Sequence, residues 1–167
     1  AGATPGFDEA RLAQVGQAWG DRPPNCPLAP TVAIGAVMRR RLSEIAAPHS
    51  APAEIIELHH DRKADAPSGT ALATARRIAA QKEQQRDVES VEMVAGARGA
   101  DVDTVPVHSV RLPGYVAHQE VVFGGMGETL SIRHDTTDRQ AFIPGVLLGV
   151  RRVPELPGVT VGLEPLL

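Results

Sequence analysis

Apolar positions recur along this chain at two periods, one fitting helices and one fitting strands. Leu12, Val15 and Trp19 share one side of a stretch from about Glu9 to Trp19, which Asp8 can cap, so a first helix is expected there. The next stretch, "DRPPNCPLAP", holds four prolines in ten residues. It excludes a regular helix and permits at most a short edge strand. From about Ile34 to Ala47 the apolar positions Ile34, Val37, Met38, Leu42, Ile45 and Ala46 fit a second helix. Arg39, Arg40 and Arg41 are expected to form its solvated face, and Pro48 to stop it. Glu54 to His59 reads as a strand with Ile55 and Ile56 buried. In a third helix, about Gly69 to Gln81, the residues Ala71, Leu72, Ala75, Ile78 and Ala79 make one apolar face.

Residues 82 to 104 are polar and charged, and predict a loop with one short strand near Val91 to Val94. The chain then becomes β-rich. Val105 to Leu112 alternates and ends at the turn Pro113-Gly114. Val116 to Phe123 and Glu128 to His134 follow as strands around Gly124-Gly125-Met126-Gly127, with Leu130 and Ile132 on one face. A last helix is expected from about Asp138 to Arg152, capped by Thr136 or Thr137, with Pro144 near its first turn. Its expected buried residues are Phe142, Val146, Leu147 and Val150. Helices and strands therefore segregate. The pattern predicts an α+β fold with helices on one face of a mostly antiparallel or mixed sheet.

Composition narrows the function. A net charge of -3 in 167 residues argues against a nucleic-acid partner. No apolar run reaches the roughly 20 residues that span a bilayer. Cys26 is the one cysteine, so no internal disulfide forms, and a small buried side chain is its expected role.

One stretch departs from this ordinary picture. In "ELHHDRKADAPSGTA", residues 57 to 71, seven of the nine residues from Glu57 to Asp65 can carry charge. The strand delivers His59 and His60 at its end, and adjacent strand residues point to opposite faces, so the two histidines should differ in role. Ser68, Gly69 and Thr70 open the third helix, whose unpaired N–H groups and positive dipole end suit an anion. Lys63 adds a point charge. Such a set holds a carboxylate or phosphate beside a histidine that exchanges protons near neutral pH. Two other readings exist. Ser68 can simply cap the helix while the charges are solvated. A metal site from His59, His60, Asp61 and Asp65 fits none of the usual zinc spacings, so no metal is expected. Glu57, Asp61, Arg62 and Asp65 are expected to be structural or solvated. His49, His108, His118 and His134 are expected at the surface or on strands without a catalytic role.

The stretch resembles the signature Glu-x-His-His-x-x-Lys-x-Asp-Ala-Pro-Ser-Gly-Thr-Ala of the dihydrodipicolinate reductase family, and matches every fixed position. "GATPGFDEA" is similar to that family's hinge segment and "LAPTVAIGA" to its Ala-Pro-Asn-x-Ser-x-Gly segment. "HSVRLPGYVAHQEVVFG" and "GETLSIRHDTTDRQAFIPGVLLGVRRV" are similar to its later strands and final helix. The resemblance implies a reductase that moves a hydride from NADPH or NADH to a cyclic dicarboxylate, in lysine and diaminopimelate biosynthesis. It implies His59 as the proton donor and Lys63 as the second catalytic residue. His60, Ser68, Gly69 and Thr70 become substrate-binding positions, and Gly2 and Thr4 become nicotinamide-side contacts. It further implies a homotetramer and a cytoplasmic site, or the plastid stroma in a plant or alga.

The resemblance also divides the chain. Residues 1–30 correspond to the end of a dinucleotide-binding domain and hinge, 31–137 to a substrate-binding and oligomerisation domain, and 138–167 to a helix and tail returning to the nucleotide-binding domain. No Gly-rich nucleotide turn is present, so the cofactor half is expected to be largely missing. Thr31 and Ala33 stand where the family has asparagine and serine. Two alternatives follow: a non-catalytic dicarboxylate-binding or oligomerisation domain, and an acid–base enzyme without nicotinamide.

Overall fold

The computed structural model describes residues 13–14, 17–19, 25–29, 31–50, 52–81, 90–156 and 158–167. They belong to two compact units, one within residues 1–37 and 140–167, the other spanning Met38–Arg139. Within the first expected helix, residues 13–14 and 17–19 are helical, and the rest lies outside the described residues.

The larger unit is built on five strands: β2 (Ala53–His59), β3 (Ala100–Val102), β4 (Val105–Arg111), β5 (Ala117–Gly125) and β6 (Glu128–Thr136). Their order is β3-β4-β2-β5-β6. β2 runs parallel to β4, and the other neighbours are antiparallel, so the sheet is mixed. Helix α2 (Gly69–Ala80) lies in the connection between β2 and β4. A parallel pair needs such a crossover, and the helix buries one face of the sheet. Ala71, Ala75 and Ile78 of α2 pack in one core cluster with Ile55, Val107, Val121 and Phe123. Strand period sorts the rest: Ile55 is wholly buried, whereas its neighbour Ile56, on the opposite face, is only half-buried. The expectation that both isoleucines are buried is corrected on that account.

The smaller unit pairs β1 (Cys26–Leu28) in parallel with β7 (Val159–Val161) and holds α3 (Ile143–Arg152). Among the described residues of the proline-rich stretch this short strand forms, and Cys26 within it is half-buried.

Several expectations fail for physical reasons. No strand forms at Val91 to Val94, which is exposed, and the short strand comes instead at β3, where it pairs with β4. Helix α1 (Ile34–Ala46) forms as expected, but Arg39 and Arg40 are buried while Met38, Leu42 and Ile45 are exposed. The apolar stripe of Met38, Leu42 and Ile45 is the exposed one. The buried face runs through Val37, Arg40, Ser43 and Ala47, which ends up in the turn after the helix, with Arg39 beside it.

α3 starts at Ile143, with a short 3-10 turn over Arg139–Phe142 before it. No side chain caps it. Thr136 instead ends β6, so the threonine cap is overturned. The buried positions of α3 are Gly145 and Gly149, and Val146, Leu147 and Val150 are exposed. A Cβ on Gly145 would sit 1.8 Å from the Val32 carbonyl oxygen. That close approach selects the glycine face rather than the bulky one.

Candidate active site

The charged stretch begins on β2. Glu57 and His59 stand two apart, so they share the helix-covered face of the sheet. In the parallel register Ser109 lies beside Glu57, and Arg111 beside His59. Those placements assemble a network that the local sequence did not announce. The Glu57 side chain is fully buried. Its Oε1 accepts from Arg111 Nη2 at 2.7 Å and from the Ser68 backbone N–H at 3.3 Å. Its Oε2 accepts from Arg111 Nη1 at 3.0 Å and contacts His59 Nδ1 closely. Burial pushes the Glu57 carboxyl up, but hydrogen bonds from His59, Arg111 and Ser109 outweigh it and bring it down to about 2. Glu57 is therefore a buried charge at the centre of the cluster, not a solvated one.

Arg111 also donates from Nη2 to the Asp65 carbonyl at 2.7 Å. That bond ties the loop of residues 60–68 to the sheet. The Lys63 N–H donates to the His60 carbonyl at 3.1 Å, closing the turn after β2. The Lys63 ammonium lies 2.6 Å from Asp65 Oδ1, and this bond is the main cause holding the Asp65 carboxyl below its ordinary value. Asp61 and Arg62 are exposed in the turn.

At the far end of the loop the Ala66–Pro67 peptide is cis. Ser68 is buried and caps α2, its Oγ accepting from the Ala71 N–H at 3.2 Å. Capping is thus one of its roles. Gly69 is exposed, and a Cβ there would meet nothing within 4 Å, so the backbone at the start of α2 is open to approach. Thr70 is half-buried in the first turn. His60 lies just past β2, with its Nδ1 shielded from solvent and without a partner among the described residues.

The network therefore gathers His59, the Lys63 loop and the start of α2 at the C-terminal end of β2. Gly2 and Thr4 lie outside the described residues. The other histidines have different surroundings. His49 is exposed. His108 bonds Glu54 at 2.8 Å. His118 takes the Val116 N–H on Nε2 and faces Asp135 through Nδ1 at 2.7 Å. His134 is half-buried on β6, where burial first, then Arg39, lowers its pKa. Among the described residues no group of His, Cys, Asp and Glu is placed to hold a metal. A separate open groove of about 550 Å³, lined in part by Arg152, Leu156, Val159 and Leu166, includes none of the motif residues.

Sequence reasoning named His59, His60, Lys63 and Ser68 to Thr70, and missed Glu57 and Arg111. Glu57 left a signal in its two-residue spacing from His59. Arg111 left none, because it joins the site through pairing with a strand 52 positions further on, from residue 59 to residue 111.

Residues 35–167 match the family described as dihydrodipicolinate reductase, C-terminus. A protein of Mycobacterium ulcerans (strain Agy99) named 4-hydroxy-tetrahydrodipicolinate reductase is 56% identical over 169 residues, covering 98% of this chain and 68% of that protein. A protein of the same name from Mycobacterium sp. (strain KMS) is 55% identical over 168 residues, with the same shares. Among solved structures, the dipicolinate-bound dihydrodipicolinate reductase from Paenisporosarcina sp. TG-14 superposes with a TM-score of 0.82 at 43% identity. That match covers 97% of this chain and 62% of the other.

Proposed function

This chain belongs to the dihydrodipicolinate reductase family, and on that premise we propose that it forms the substrate-holding half of a 4-hydroxy-tetrahydrodipicolinate reductase. The substrate is a cyclic dicarboxylate of the dipicolinate type. The pathway is lysine and diaminopimelate biosynthesis, in the cytoplasm. Among the described residues no helix is long and apolar enough to cross a membrane.

The observation that carries the reading is the Glu57 network. It fastens the strand end bearing His59 to the start of α2 and to the loop bearing Lys63. A proton donor and an anion grip are thereby held at one end of the sheet. One substrate carboxylate is gripped by the N–H groups of Gly69 and Thr70, by the Ser68 and Thr70 hydroxyls, and by Lys63. His60 contacts the substrate beside it. Asp65 shares the Lys63 ammonium and is displaced or bridged when the carboxylate arrives. His59 gives its proton to the ring carbon beside the one that is reduced. A reduced nicotinamide, NADPH or NADH, supplies the hydride when bound. Gly2 and Thr4 are the proposed contacts on its side, a reading that rests on family membership.

The same reading makes the chain a homo-oligomer, a tetramer, assembled through the sheet face that α2 leaves uncovered. That face carries Ile56, Leu58, Val110 and Val122, all half-buried.

Pyridine-2,6-dicarboxylate, a planar mimic of the substrate, tests the site directly. It should raise the melting temperature of this chain, and Lys63→Ala should abolish the increase. A parent chain whose melting temperature does not move at millimolar ligand would refute the intact grip.

A further inference from the structure

We propose that Glu57, braced by Arg111, is a positioning residue that keeps the His59 hydrogen on Nδ1 and reserves Nε2 for proton transfer. The proposal rests on the reading of His59 as the proton donor, and it goes beyond that reading by assigning a role to two residues outside the proton-donor and anion-grip set.

Arginine and a backbone N–H can only donate. Between them they occupy both Glu57 oxygens: Arg111 Nη2 and the Ser68 N–H on Oε1, Arg111 Nη1 on Oε2. An acceptor that receives a bidentate guanidinium and a third donor is an ionised carboxylate. Oε2 also contacts His59 Nδ1. With the carboxylate unable to donate, the hydrogen between them belongs to Nδ1. The hydrogen bond at one ring nitrogen decides the state of the other. Nε2 has no hydrogen bond among the described residues, so it alone is free to exchange a proton.

This arrangement opposes what imidazole does in water, where the neutral ring prefers its hydrogen on Nε2. It also suits the chemistry. Charged His59 carries hydrogen on both nitrogens. When the Nε2–H bond breaks, its electron pair stays on Nε2, the proton joins the substrate carbon, and the ring is left neutral with hydrogen on Nδ1. That product is the tautomer Glu57 favours, so the ring neither turns nor trades hydrogens. A carboxylate in this position acts as the third group does in a nucleophile–base–orienter set.

A merely structural ion pair between Glu57 and Arg111 would fasten β2 to β4 and leave the tautomer indifferent. The two roles separate in one measurement. The full chain is labelled with nitrogen-15 at histidine, and the ring-nitrogen shifts are read at a pH above the ordinary imidazole range. His59→Asn identifies the His59 signals among the six histidines. The parent should carry the His59 hydrogen on Nδ1. In Glu57→Gln the amide can turn its NH₂ toward Nδ1, and the hydrogen should move predominantly to Nε2. A parent with hydrogen on Nε2 overturns the proposal, as does a Glu57→Gln protein whose hydrogen stays on Nδ1. The parent spectrum needs no variant, so misfolding of Glu57→Gln does not shelter the idea.

Binding of pyridine-2,6-dicarboxylate is followed in parallel. The parent alone is used for this arm, because Glu57 also holds the start of α2 through the Ser68 N–H. An Nδ1–H parent that fails to bind it supports the positioning role and overturns the substrate reading.

Discussion

At the scale of single residues the decisive quantity is the charge on Glu57. A carboxylate taken out of water costs several kcal/mol unless it is paired and bonded. Here the pairing overcompensates, taking the group from 4.5 to about 2. The linkage has a definite sign. The folded carboxyl is the stronger acid, so its contribution to stability is complete above pH 4.5 and is lost as pH falls toward 2. The full shift corresponds to about 3 kcal/mol. Denaturant unfolding of the parent and Glu57→Gln should therefore differ most near neutral pH and converge below pH 4.5. A gap that stays constant down to pH 3 would show that the charge is not what Glu57 contributes. Ser68 offers a smaller check. Its side chain caps α2, so Ser68→Ala should cost about 1 kcal/mol and Ser68→Gly only a few tenths.

Elements were legible wherever one period dominated. β2, β4, β5 and α2 fall within a residue or two of their expected bounds, because each presents one apolar face to one core. The faces of α1 and α3 were not legible. In α1 the apolar stripe stays exposed, and packing buries the face with Val37, Ser43 and the buried arginines Arg39 and Arg40. In α3 the close approach of Val32 chose glycine over valine and leucine. β3 was misplaced because three residues at a sheet edge carry almost no periodic signal. Within the site the same division holds. His59, Lys63 and Ser68 to Thr70 lie in one stretch and could be read together. Arg111 belongs to the site only through a pairing that no local pattern encodes.

The odd burial in α1 has a measurable cost. Arg39 is about 2% exposed, and its Nε and Nη1 have no partner among the described residues. Burial first, then the neighbouring Arg40, pull its guanidinium down to about 9. Below that pH the folded chain holds a charge it would be more stable without. Arg39→Met keeps the length and removes the charge, and should raise unfolding stability by about 1 kcal/mol or more. A loss of stability on this change would mean that the guanidinium contributes more than its stem.

At the scale of the whole molecule the sheet face that α2 leaves uncovered is the proposed surface of assembly. On it Ile56, Leu58, Val110 and Val122 alternate with Glu54, His108, His118 and Glu120, whose charges are paired with Arg98, Arg133 and Asp135. Apolar side chains interleaved with paired polar ones suit a polar interface between copies. Light scattering at tens of micromolar should give a mass above that of one chain, and Val122→Asp should return it to one chain. A parent that scatters as a single chain would rule out this assembly.

The parallel pairing of β2 with β4 has a last consequence, for anyone who would transplant this motif. The fifteen residues from Glu57 to Ala71 look self-contained, a cassette of histidines, lysine and helix start. Moved onto another strand they would carry the imidazole and its carboxylate but leave behind the guanidinium fork. The smallest portable unit is two strands side by side, in one direction and one register, with the loop and helix that cross between them.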